Sequence, residues 1–407
     1  MRTLYTTMLL AALATTVHAQ EKTSLLAVRG QRVHTVAGPV IEDGVVLIEN
    51  GKIKAVGRAG EVPIPEGTET LRAKVVTPGF VDAHSVVGLA GHLNQDHDQD
   101  QLDRSKAMQP GLRAIDAYNA RERLVGWLRS LGVTTLHTGH APGALISGQT
   151  MIVKTTGDTI EEAVRVPFAM LAATVGESAQ AADGKSPGTR GKVITALRQK
   201  LVEARSYADD RKDAAKAKTL PRKLDLEVLG RVLAKEIPLL VTAHTATDIT
   251  TALRLQTEFG FRLVLDGASE AHLLLDALKK AKVPIIAHPT MARTFGERKN
   301  ASFELGAQLK KAGIPFAFQS GYESYVPKTR CVIFEAAIAA AHGLGPEAAL
   351  QAATLDAAKL LGIGQTVGSL TPGKDADLAL FDGDPFEYAT HCVGVVIDGK
   401  VVSRVTR

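Results

Sequence analysis

Short apolar runs separated by turns fill residues 24–75, where 25–28, 44–48 and 52–57 read as strands and 49–52 as a hairpin turn. The C-terminal stretch has the same texture, with strands expected at 377–381, 393–397 and 401–402 and a turn at 398–400. Between these ends, strands of the buried type alternate with amphipathic helices, the pattern of parallel β/α units. Strands are expected at 132–137, 238–244, 261–266, 283–288 and 314–319, and helices over 248–259 and 271–281. Each of these strands ends on a polar or ionisable residue, as expected where site groups gather at the C-terminal ends of barrel strands. Residues 177–224 break the rhythm with Gly, Ser, Pro and a charged run over 208–218, and predict an exposed helical insertion.

An apolar run at residues 8–13 behind Arg2, followed by Val17 and Ala19, predicts a signal peptide over 1–19 and export to the periplasm or beyond the cell. The run is far shorter than the ~20 residues that cross a bilayer, so no stable membrane span is expected. Removing residues 1–19 takes away Arg2 and no acid, moving the net charge from +5 to +4. So mild an excess, with only 4% aromatic residues for base stacking, excludes a nucleic-acid surface. Cys331 and Cys392 are too few for a disulfide framework, and whether they pair stays open. There is no Gly-x-Ser-x-Gly elbow, no Walker loop and no His-Glu-x-x-His.

The most telling stretch is 76–86, where a strand enters the turn Pro78-Gly79 and ends on Asp82-Ala83-His84-Ser85-Val86. It resembles the first barrel strand of the amidohydrolase superfamily, whose Pro-Gly-Leu-Ile-Asp-x-His-x-His aims two metal-binding imidazoles from one strand face. Residues 132–135, 352–362 and 368–378 resemble the family's second strand, a late helix and the re-entry into its second domain, in family order. The likeness is to the imidazolonepropionase-like branch and covers nearly all of the chain after residue 19. It implies an α/β fold: a (β/α)8-like TIM barrel over 76–364, with a small β-sandwich formed by both chain ends, 20–75 and 365–407.

The resemblance also implies a metal site, with ligands from His-x-His on strand one, histidines on strands five and six, and an aspartate on strand eight. His84 and His244 hold two of those positions, and Asp266 stands where the strand-six histidine is expected. Val86 replaces the second histidine and Gly321 the strand-eight aspartate, so a two-metal centre cannot be assembled and the metal site reads as degenerate. One divalent ion, zinc, held by His84, His244 and Asp266, remains the expected cofactor, with Asp266 also handling the proton. An alternative ligand set lies in the loop His92, Asp96, His97 and Asp98, expected over the barrel mouth. His137, His140, His288, Tyr322 and Glu323 are expected around the substrate, with ordinary packing as the rival account of the histidines. Lys154 ends a strand and is expected to face solvent.

Two functions follow. The first is an exported metal-dependent hydrolase of C–N bonds other than ordinary peptide bonds, acting on an N-acyl amino acid, dipeptide or cyclic amide through metal-activated water. The second is a non-catalytic binding or partner protein that keeps the barrel without its metal. The expected partners are a small amide-type substrate and either a second copy or an intact paralogue.

Overall fold

The structure is a computed structural model that describes residues 24–180, 187–288, 294–322 and 331–407. The expected signal peptide and Glu323 lie outside these residues.

The chain opens with β1 (Leu25–Val33), β2 (Ile41–Glu49), β3 (Lys52–Arg58) and β4 (Glu69–Pro78). The middle carries β5 (Phe80–Ser85), β6 (Val133–Gly139), β7 (Ile146–Lys154), β8 (Val164–Val166) and β9 (Leu171–Thr174). It continues with β10 (Leu239–Ala243), β11 (Leu263–Gly267), β12 (Ile285–Ala287) and β13 (Phe316–Phe318). The chain ends with β14 (Leu378–Phe381), β15 (Cys392–Ile397) and β16 (Lys400–Ser403).

Both ends join one seven-stranded sheet in the order β16-β15-β14-β4-β1-β2-β3. The expected sandwich is therefore a continuous sheet that curls, so that Ala376 N–H bonds Gly51 O and Gly399 N–H bonds Ala376 O. Its enclosed face buries Val28, Val46, Ile53, Val76, Leu378 and Val396. Alternation along each strand puts these residues on one side, which fixes the register, because a one-residue slip would turn them all to solvent. The chain passes into the barrel at Gly79, where a Cβ would lie 2.2 Å from the Thr134 side chain.

The barrel order is β5-β6-β7-β9-β10-β11-β12-β13, with β8 beside β7. A parallel bridge between Ser85 and Gly321 links the two ends of this order. One strand departs from the expected pattern: β7 runs antiparallel to both β6 and β9. The turn from Gly139 to Ile146 is too short to hold a crossover helix, so the chain doubles back as a hairpin. Val81, Ala83, Ile152, Leu240, Val264, Ile286 and Ala317 form an inner layer that Ala357, Ala358 and Leu361 close off. The interior is thus filled core, and polar groups are left to the strand ends.

Residues 177–224 are not a wholly exposed insertion. The helix Arg190–Lys212, capped by Thr189, buries Val193, Leu197, Leu201, Ala204 and Tyr207 along one stripe. This spacing of three and four residues is that of a packed helix face. Lys154 is not solvent-facing either: it is 1% exposed at the end of β7. Its Nζ lies 2.7 Å from Asp375 and 3.2 Å from Asp377, and also meets Asp398. A single buried cation thus fastens the sheet to the barrel. Cys331 and Cys392 are both buried free thiols.

Candidate functional site

Each C-terminal strand end delivers one or two polar side chains, and their partners decide what each can do. His84, near the end of β5, points Nδ1 at Asp266 Oδ1 of β11 over 3.1 Å, with both side chains essentially inaccessible. An ionised carboxylate only accepts hydrogen bonds, so Nδ1 carries the proton and Nε2 keeps the lone pair. That Nε2 is buried without a hydrogen-bond partner. Asp266 also accepts from Thr242 Oγ1 at 2.7 Å and Gln319 Nε2 at 2.5 Å. Burial alone would raise its pKa, but His84, Thr242 and Gln319 outweigh it and hold the carboxyl below its ordinary range.

His244 follows β10 directly, and the helix behind it is anchored by Thr245, whose hydroxyl accepts from Asp248 N–H. His244 Nδ1 lies 2.8 Å from Ser269 Oγ, and Nε2 lies 3.2 Å from Tyr322 Oη. Gly267, at φ +77°, makes room for the ring: a Cβ there would fall 2.5 Å from His244 Cε1. Tyr322 stands among three imidazoles, with ring centroids 5.9 Å from His84 and 5.7 Å from His288 and its hydroxyl on His244. Its apolar side packs on Val86, Ala90 and Ala141.

His244 and Tyr322 form part of the wall of a cavity of about 410 Å³, together with Pro142, Glu177, Ser178, Phe295, Glu297 and Arg298. Asp266 does not line it. Its contact is with His84, whose tautomer and ring orientation it sets.

The remaining candidates separate by their partners. His137 is fully buried, bonded through Nδ1 to Ala83 O and through Nε2 to Thr150 Oγ1, each at 2.6 Å. Burial first, and the nearby His84 second, push its pKa down to about 3, so it is a neutral brace between strands and not a substrate group. His140 is buried away from the cavity lining, packed so closely on Gly148 that a Cβ there would lie 2.3 Å from its ring. His288 is buried beside Tyr322, with ring centroids 5.7 Å apart. Asp82, in the β5 motif, accepts from Ser320 N and Oγ, and burial raises its pKa to about 6 despite those bonds.

The loop of His92, Asp96, His97 and Asp98 does not reach the mouth as a metal cage. His92 lies 3.2 Å from Glu122 and 3.3 Å from Arg123, at the start of the helix after the loop. Asp98 spends its carboxylate on the loop itself, accepting from Leu93 and Gln95 N–H. Asp96 and His97 are exposed.

Among the described residues no three His, Cys, Asp or Glu side chains come together to hold a metal ion. The donor set explains why. Asp266 already accepts from three neighbours, His244 faces Tyr322, and Val86 puts an apolar cluster where a second imidazole is expected. These residues do not fit the divalent centre that the sequence led us to expect. Ser269, Thr242, Gln319 and Ser320, which position the site, were not anticipated from the sequence. The only signal for them is their place at, or just beyond, a strand end.

Comparison with known proteins places these observations. The model of the amidohydrolase family matches residues 75–402. An amidohydrolase from Thermotoga maritima MSB8 is 29% identical, with a TM-score of 0.88 over 93% of this chain and 100% of that one. An imidazolonepropionase of Rhizorhabdus wittichii is 25% identical over 389 residues, 87% of this chain and 92% of that protein. Amidohydrolase tasK of Hapsidospora irregularis is 25% identical over 88% of this chain, which spans 39% of that longer protein.

Proposed function

Since the chain belongs to the amidohydrolase family, in its imidazolonepropionase-like branch, we propose that it hydrolyses a C–N bond of a small amide-type compound at the cavity beside His244 and Tyr322. The family is one of hydrolases that act on C–N bonds and use divalent metal ions. A bound ion would supply water of lowered pKa. The finer expectation of one zinc ion needs His84, His244 and Asp266 to share it, and they do not fit one between them. The chemistry of the cavity is therefore assigned to side chains.

The observation that carries this reading is the 3.2 Å contact between His244 Nε2 and Tyr322 Oη in the cavity wall. With its Nδ1 proton on Ser269, His244 Nε2 accepts from the Tyr322 hydroxyl at rest; a bound carbonyl draws that hydroxyl away and leaves Nε2 as the base for a water molecule. The water oxygen attacks the amide carbon while Nε2 takes its proton. The Tyr322 hydroxyl donates to the carbonyl oxygen as negative charge develops there. Nε2 then returns the proton to the departing nitrogen, the C–N bond breaks, and an acid and an amine leave. The lining offers Arg298 for a carboxylate and Glu177 for a polar or cationic group, which suits an N-acyl amino acid or dipeptide and leaves cyclic amides as the comparison class.

A panel of these three classes, assayed by amine or acid release, tests the reading. Turnover of at least one class, reduced 10²–10⁴-fold in His244→Ala, is the expected result. No turnover of any class by the unaltered protein would overturn it. A second reading, a non-catalytic binding or partner protein, draws on one observation: Tyr322 packed on Val86 covers the His84 side of the mouth. Saturable binding of an uncleaved amide would favour it, as would a mixed complex with an intact paralogue.

We propose also that the protein is exported, on the strength of Arg2, the apolar run at 8–13 and the small residues before Gln20. A mature N-terminus at Gln20 in a periplasmic or culture fraction is the expected finding. An intact Met1 in the cytoplasm would refute it.

A further inference from the structure

Two departures from the family pattern, Val86 and Gly321, meet the tyrosine that follows the second of them in one place. Val86 is fully buried and joins Ala90 and Ala141 in an apolar cluster whose partly buried members include Tyr322. Gly321 bridges Ser85 across the seam of the barrel at φ +100°, a conformation that an aspartate at that position would adopt only with strain. That backbone turn carries the Tyr322 ring to within 6 Å of two histidine rings and brings its hydroxyl to a third.

We infer that the Tyr322 side chain occupies the place of the family's catalytic ion, so that this barrel has no resident divalent metal. The phenol does for the imidazoles what an ion would otherwise do: it gives His244 a polar partner and keeps the rings apart. Its hydrocarbon face needs an apolar neighbour, and Val86 supplies one; a histidine there would leave a buried imidazole against an aromatic face. On this account Val86, Gly321 and Tyr322 are one structural unit, and the losses at the first two are not independent. The inference concerns the ion's seat and not turnover, so failure of the hydrolysis reading leaves it standing.

The test is metal content and cobalt(II) absorption. The unaltered protein, incubated with zinc and freed of excess, is expected to retain under 0.1 equivalent and to give no d–d band with cobalt(II). A double variant, V86H with Y322A, opens the seat and restores one imidazole. It is expected to take up close to one equivalent, lost again when His244→Ala is added. Near-stoichiometric zinc on the unaltered protein, removed by His84→Ala, would overturn the inference whatever becomes of the variants. A folded double variant, with near-UV circular dichroism like the parent's, that still binds no metal would overturn the role of Tyr322. Tyr322→Phe keeps the ring and is expected to stay metal-free; uptake by this variant would likewise contradict the account.

Discussion

Two buried charged clusters sit at different places on the same barrel, and they are finished differently. At the junction with the curled sheet, Lys154 meets Asp375, Asp377 and Asp398, carboxylates brought from the far end of the chain. At the mouth, Asp266 is saturated by His84, Thr242 and Gln319, yet the other nitrogen of His84 has no hydrogen-bond partner. A cluster that only fastens elements together needs its cation surrounded. The cluster beside the proposed site instead leaves His84 Nε2 without a hydrogen bond, at a cost in stability that the rest of the fold must offset. The contrast is between a lock and a site.

The strongest way to break the comparison is by pH, because the two clusters titrate with opposite sign. His137, bracing the mouth, is held down to about 3 by burial and by His84, against 6.5 when unfolded. The unfolded chain binds its proton first as pH falls below 6.5, so this contribution is complete above 6.5 and is lost toward pH 3. At about 1.4 kcal/mol per unit, the loss is on the order of 5 kcal/mol. Urea unfolding of the unaltered protein against His137→Gln should show a difference that grows as pH rises from 4 to 6.5; a flat difference would remove His137 from the account.

Next in size is Lys154→Ala, which leaves the buried Asp377 without a cation while Asp375 keeps Lys52 and Asp398 keeps Arg165. It should cost about 3–5 kcal/mol in chemical denaturation and leave turnover below the unfolding transition unchanged. A loss under about 1 kcal/mol would mean that the carboxylates relax into water and that the lock is unimportant. Asp377 in the same cluster has its pKa raised to about 6, by burial first, with Lys154 pulling the other way. Its sign is the reverse of His137: the folded state holds the proton longer, so stability falls as pH rises from about 4 to 6, by roughly 3 kcal/mol. The difference between the unaltered protein and Asp377→Asn should therefore shrink over that window, read by the same unfolding curves. The smallest effect is Asp266→Ala, which frees His84, Thr242 and Gln319 at once. It should cost about 1–3 kcal/mol and, unlike Lys154→Ala, also depress turnover at temperatures where the fold is intact.

Much of this arrangement was legible before the structure. The β5 motif and the alternating runs at both ends were enough to expect a barrel with a terminal sheet domain. The family resemblance put His84, His244 and Asp266 in one site, and Tyr322 was expected around the substrate beside them. The roles were less legible, because a role depends on a partner from another strand. Asp266 reads as a ligand until Thr242 and Gln319 take up its oxygens. Lys154 reads as solvent-facing because lysine usually is, although it closes a strand buried throughout and the Asp-rich stretch at 375–377 was in view. The helix at 190–212 hid its buried stripe of five residues among charges on its other faces. The loop after β5 read as an alternative ligand set because its composition suits metal, but His92 lies against Glu122 and Arg123 instead.

The measurement that tests the central claim most directly is turnover of the amide panel by the unaltered protein, Lys154→Ala and His244→Ala, all freed of metal and assayed well below their unfolding temperatures. The account predicts hydrolysis by the first two at similar rates and a loss of at least 10²-fold in the third. Equal rates in all three, or none in any, would contradict it.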